Sequence, residues 1–302
     1  MKTTNQRVTK LLKTGSELTY LTDIVPQCGE IVENISYIDD KTQEHKLDVL
    51  YPVNEQEVYP FIINIHGGGF AVNTKDRIYR NYAMRLAGNK YAVVNINFRL
   101  SYTDKFPAQM YDVFAVLDFI EKNHEIYHLD LNNMFLCGDS SGAYMAAMTE
   151  CISKNAELSA HFGLCSSIKC RALALNCGFY DFSTCMGKDV KFPMTKAILV
   201  QLFGQKDFYN HEEFKYSSVV NHITDDFAPA YIADTQIKSF ATEGARLYTL
   251  MCRHGIDSQL HIFNKKEKLL HAFNIAGKYE QSAQVLEETF DFFDKHLNVL
   301  DF

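Results

Sequence analysis

Ser140 sits at the centre of Gly138-Asp139-Ser140-Ser141-Gly142, a G-x-S-x-G pattern. An apolar run at 133–137 precedes it, and good helix formers at 143–148 follow. A strand, a sharp turn and a helix in that order put the serine hydroxyl at the apex of the bend, exposed for nucleophilic attack. Glycines on both sides suit a turn whose backbone segments approach too closely for a Cβ. Upstream, His66-Gly67-Gly68-Gly69-Phe70 closes the apolar run 59–65. Three glycines after a strand leave N–H groups unshielded and free to converge on an anion. Acyl transfer needs such donors where the tetrahedral oxygen develops, and losing one typically costs about 10²–10³ in rate. A phosphate-binding P-loop would carry Gly-Lys-Ser/Thr next, and a dinucleotide fold would carry G-x-G-x-x-G; neither stands here. The paired motifs therefore point to acyl-transfer chemistry at Ser140.

Such groups need a frame. Apolar runs that read as strands at 46–51, 61–66, 92–98, 134–137, 172–176, 230–234 and 259–263 alternate with helical patterns at 78–87, 111–122, 143–154 and 244–254. This alternation predicts a mostly parallel sheet with helices on both faces. Active sites in such sheets lie at the carboxyl ends of the strands, where His66 and Ser140 both fall. The helix expected over 282–297 presents Val285, Leu286, Phe290, Phe293 and Leu297 on one face, a packing stripe. Two segments depart from the alternation, residues 1–40 and about 182–223, and both are expected to form a small helical cap. No linker divides the chain, so 1–302 reads as a single domain.

Composition narrows the partners. With 302 residues, 47% hydrophobic and a formal net charge of −7, the chain is a globular protein without the basic excess of a nucleic-acid binder. No run of 18 apolar residues predicts a membrane span, and the N-terminus lacks the apolar core of a signal peptide. The eight cysteines are scattered without C-x-x-C spacing, as free thiols in a reducing compartment would be. A cytoplasmic location is the expectation. No metal or organic cofactor is implied, and a homodimer is compatible with the sequence.

From Phe61 to Phe273 the sequence resembles the hormone-sensitive-lipase-like carboxylesterases of the α/β-hydrolase fold. The resemblance is carried by His66-Gly-Gly-Gly-Phe70, Asn95-Ile-Asn-Phe-Arg-Leu-Ser101, Phe106-Pro-Ala-Gln109 with Asp112, and Gly138-Asp-Ser-Ser-Gly142. It implies Ser140 as nucleophile and the N–H groups of Gly68, Gly69 and Ser141 as the oxyanion hole. His271, in Leu269-Leu-His-Ala-Phe273, is similar to the family's His-Gly-Phe and is expected to be the base. His254 at a helix end, His261 within a strand and His66 in the glycine loop suit the role less well.

The acid is missing from its place. The family's position for it falls on Lys238, and a cation there would depress the pKa of His271. Two carboxylates are candidates to replace it: Asp234, four residues earlier, and as second choice Asp181, after the preceding strand. The expected function is a carboxylic ester hydrolase acting on a small, short-acyl ester, its activity weakened by the displaced or lost acid. The alternative is a non-catalytic or weakly active ligand-binding protein on the same scaffold.

Overall fold

The computed structural model describes residues 25–298 except Lys191. Its frame is one eight-stranded sheet in the order β1-β2-β4-β3-β5-β6-β7-β8. The strands are β1 (Ile31–Ser36), β2 (Lys46–Leu50), β3 (Tyr59–Ile65), β4 (Ala92–Ile96), β5 (Leu129–Asp139), β6 (Cys170–Asn176), β7 (Ala230–Thr235) and β8 (Ser258–Phe263). β1 and β2 run antiparallel, β2 meets β4 antiparallel, and every pairing from β4 to β8 is parallel.

Strand alternation builds the two faces. Phe61, Ile63 and Ile65 of β3 join one apolar cluster, together with helices α2 (Ala108–Asn123) and α3 (Ser141–Lys154). Ile62 points the other way, into a second cluster with α1 (Ile78–Ala87) and α7 (Glu280–Lys295). Central parallel strands are buried on both sides, which is why they read as near-continuous apolar runs. The remaining helices are α4 (Ala156–Phe162), α5 (Thr195–Phe203) and α6 (Ala241–Arg253).

The expected strands and helices all appear, most with ends moved by a few residues. The N-terminal segment is a correction: residues 31–36, expected within a cap, are the first strand of the sheet. β1 is an edge strand of intermediate and exposed residues with an irregular register between Val32 and Ile35, so it carries little apolar pattern. Residues 1–24 of that expected cap lie outside the described residues. In the second expected cap segment, α5 is followed by short 3₁₀ turns at Phe208–Asn210, Phe214–Tyr216 and Val219–Asn221.

Candidate active site

β5 ends at Asp139, and the chain reverses into α3 through Ser140, whose φ of 52° and ψ of −118° are rare for a residue with a Cβ. Close approach on either side explains the flanking glycines. A Cβ on Gly142 would stand 2.0 Å from the Ile65 carbonyl oxygen, and one on Gly138 2.4 Å from Gly142 backbone atoms. The bend is pinned by the Ser140 N–H, which donates to the Asn176 carbonyl at 2.8 Å, and by the Tyr144 N–H donating to the Ser140 carbonyl at 3.2 Å.

Because β3 lies beside β5, the glycine loop after β3 falls next to this bend. Two ties fasten it there. The Gly67 N–H donates to Asp139 Oδ1 (3.2 Å) and the Tyr79 hydroxyl oxygen (2.9 Å), while the Tyr79 hydroxyl donates to Asp139 Oδ2 (3.1 Å). The Phe70 N–H donates to Ser141 Oγ at 3.2 Å. Gly68 and Gly69 lie between the ties with φ of 122° and 60°, values that a side chain would oppose. Among the described residues, none accepts a hydrogen bond from the N–H of Gly68, Gly69 or Ser141. His66, stacked on Phe98 at 4.2 Å, has its pKa lowered by burial to about 4 and is a neutral packing group.

His271 arrives from the loop after β8. Its Nε2 lies 2.9 Å from Ser140 Oγ, across 131 positions of sequence. Phe192 and Phe240 stand against the imidazole, ring centroids 4.6 and 5.5 Å away. Burial pushes its pKa down to about 3, so it is neutral at pH 7 and able to take a proton from Ser140.

At Nδ1 the structure departs from expectation. The atom lies 2.8 Å from Ser239 Oγ, a residue that the sequence reading passed over. Lys238 has an exposed side chain and a φ of 49°; burial, and not this cation, depresses the His271 pKa. β7 continues through Thr235, and the bend at 236–239 turns Lys238 outward and Ser239 inward. Asp234 does not bond His271 directly. Its Oδ1 accepts the Thr235 N–H at 2.6 Å, and its Oδ2 has no hydrogen-bond partner. Asp181 is elsewhere, accepting from the Ser183 N–H (2.8 Å) and the Ser183 and Ser218 hydroxyls. The signal that points to Ser239 is a small polar residue between Ile237 and Phe240, one position past the expected acid.

The sheet order and the bend after β5 define the α/β-hydrolase fold. The family model described as BD-FAE matches residues 47–239, and the protein belongs to the BD-FAE family. Among solved structures it is similar to esterase B from Lactobacillus rhamnosis, in a crystal structure of the C6-C4 SN3 inhibited enzyme. The TM-score is 0.85 at 23% identity, over 96% of this chain and 94% of that one. By sequence it is 24% identical over 106 residues to a protein of Acanthamoeba polyphaga mimivirus named for the alpha/beta hydrolases, covering 35% of this chain and 31% of that protein. It is 32% identical over 102 residues to arylacetamide deacetylase-like 2 of Homo sapiens, 32% of this chain and 25% of that protein. The matched segment thus spans a third or less of these two relatives' own length. Among the described residues no cluster of three or more His, Cys, Asp or Glu could hold a metal ion. No described helix is long and apolar enough to cross a membrane.

Proposed function

We propose that the protein is a serine carboxylic ester hydrolase acting on a small, short-acyl ester. The observation that carries this reading is the 2.9 Å contact between Ser140 Oγ, on its strained bend, and the neutral His271 Nε2. Ser140 attacks the ester carbonyl while His271 takes its proton. The Gly68, Gly69 and Ser141 amides, which bond nothing else described, hold the oxyanion. His271 then gives the proton to the leaving alcohol, and water repeats the sequence to free the acid. Segment 182–223 serves as the cap: its Phe192 lies against His271, and its buried Phe182 stacks with Tyr144 and Phe179.

Among the described residues it is the Ser239 hydroxyl and not a carboxylate that meets His271 Nδ1, so turnover is slower than in a full Ser-His-Asp triad. Removing the acid from such triads costs about 10⁴ in kcat, with about 10³–10⁴ over water remaining. Hydrolysis of p-nitrophenyl acetate by the wild type and by Ser140→Ala tests the reading. A loss of about 10³-fold or more, with an activated phosphonate adding its mass to Ser140 alone, supports it. Equal rates in the two proteins eliminate it. The second reading, a non-catalytic binding protein, draws on the exposed Lys238 at the family's acid position; an unlabelled Ser140 under forcing conditions would favour it.

A further inference from the structure

We propose that Ser239 is a positioning residue that links His271 to the buried carboxylate of Asp234, giving a four-member chain Ser140–His271–Ser239–Asp234. The proposal rests on the esterase reading of the site and goes beyond it, because it assigns the orienting role to a hydroxyl.

Hydrogen placement drives the argument. For Nε2 to accept the Ser140 proton, Nδ1 must carry hydrogen, and it then donates across 2.8 Å to Ser239 Oγ. The Ser239 hydroxyl hydrogen is therefore free to point to another acceptor. Asp234 is 1% exposed, with Oδ1 engaged by the Thr235 N–H and Oδ2 unpartnered. A buried carboxylate oxygen left without a donor is costly. The Ser239 hydroxyl, the Thr235 N–H, the Cys177 thiol and the Phe240 N–H all act on this carboxyl and draw its pKa down against the larger raising effect of burial. A small approach of the Ser239 side chain to Oδ2, with its hydroxyl hydrogen turned that way, supplies the donor. The frame is fixed on both sides: the Thr235 hydroxyl donates to the Leu269 carbonyl at 3.0 Å, and the Cys177 N–H to the Ala233 carbonyl at 2.7 Å.

During attack the Ser140 proton moves to Nε2 and the Oγ–carbon bond forms as the carbonyl pair moves onto oxygen. The imidazolium keeps its Nδ1 hydrogen and pulls harder on Ser239 Oγ, and the Ser239 hydrogen is polarised toward the Asp234 carboxylate. No proton leaves Nδ1. Chains of this kind strengthen cooperatively, although a neutral hydroxyl transmits less than direct contact with an anion.

The chain requires ionised Asp234, and burial places its pKa at about 7. The titratable groups facing it are Cys177 and Tyr180, both pushed far up by burial, and, one step away through Ser239, His271. Asp139, beside Ser140, is also raised to about 7 and serves as the control.

The test compares Ser239→Ala, Ser239→Thr, Asp234→Asn and the double variant Ser239→Ala/Asp234→Asn in p-nitrophenyl acetate hydrolysis against pH. Each single removal should lower kcat about tenfold or more with KM nearly unchanged, and Ser239→Thr should restore most of it. The double variant should lose no more than the worse single one, since members of one chain are not additive. The fall of kcat/KM below pH 7 should disappear in Asp234→Asn and remain in the control Asp139→Asn. If it persists in Asp234→Asn, or if the losses simply multiply, the link is overturned. Nitrogen-15 NMR of the His271 ring reads the chain without turnover: Ser239→Ala and Asp234→Asn should shift the Nδ1 hydrogen upfield alike. An unchanged signal in Asp234→Asn defeats the proposal, whereas equal rates for wild type and Ser140→Ala defeat only the esterase reading beneath it.

Discussion

Position 239 separates two substitutions that the family pattern would treat as neighbours. The Lys238 side chain is exposed, so Lys238→Asp should change kcat less than about threefold. Ser239→Asp puts a carboxylate against Nδ1, where it favours the imidazolium; kcat on p-nitrophenyl acetate should rise about tenfold, toward that of a full triad. The reverse order of effects would show that the bend at 236–239 rearranges. Asp139 permits a stability measurement. Its folded pKa of about 7 lies above the unfolded value of 3.8, so its contribution is fully present below about pH 4 and is lost as pH rises to 7. Asp139→Asn keeps an acceptor for the Gly67 N–H without the charge. In denaturant unfolding, the variant should gain on the wild type between pH 4 and 7.5 by on the order of 2–4 kcal/mol. A pH-independent difference would mean that the carboxyl is ionised at little cost.

At the scale of elements, β3 and β5 each end in a loop that only glycine can build, and neither loop is independent of the other. Gly142→Ala drives a Cβ into the Ile65 carbonyl, so the variant should lose about 3 kcal/mol or more in melting experiments, or fail to fold. Ser141→Ala is the subtler change: it keeps the proposed oxyanion amide and removes the acceptor for the Phe70 N–H. Its kcat should fall several-fold with little change in melting temperature. What the sequence disclosed follows the same division. The bend at Ser140 and the glycine loop were legible because backbone constraints dictate their residue types, whereas His271 was reached through the family likeness of Leu269-Leu-His-Ala-Phe273. Ser239 was not legible, because which residue of a four-residue bend turns inward depends on where β7 ends, and that is set by pairing with β8 through Thr235 and Phe263. β1 was hidden for another reason, its half-exposed side chains and irregular register leaving no alternation to read.

For the molecule as a whole, the parallel strands carry both chemical loops to one edge while apolar side chains close the two faces. The cysteines report on that closure. Cys165 and Cys252 are exposed, Cys28 is intermediate and the other five are buried. A thiol reagent such as DTNB should modify Cys165 and Cys252 rapidly in the native state, Cys28 more slowly, and the five buried thiols only on unfolding. Rapid modification of Cys177, near Asp234, would mean that the interior around His271 opens on the timescale of the assay. The strain at Ser140 has its own consequence. Its backbone is gripped by Asn176 and Tyr144, and the adjoining residues are tied to Phe70 and crowded against Ile65. Relaxing one torsion therefore means releasing several segments together. The bonded amide protons of Ser140 and Tyr144 should exchange with deuterated solvent only as fast as the central strands do, and heat should extinguish catalysis at the same temperature at which the fold melts.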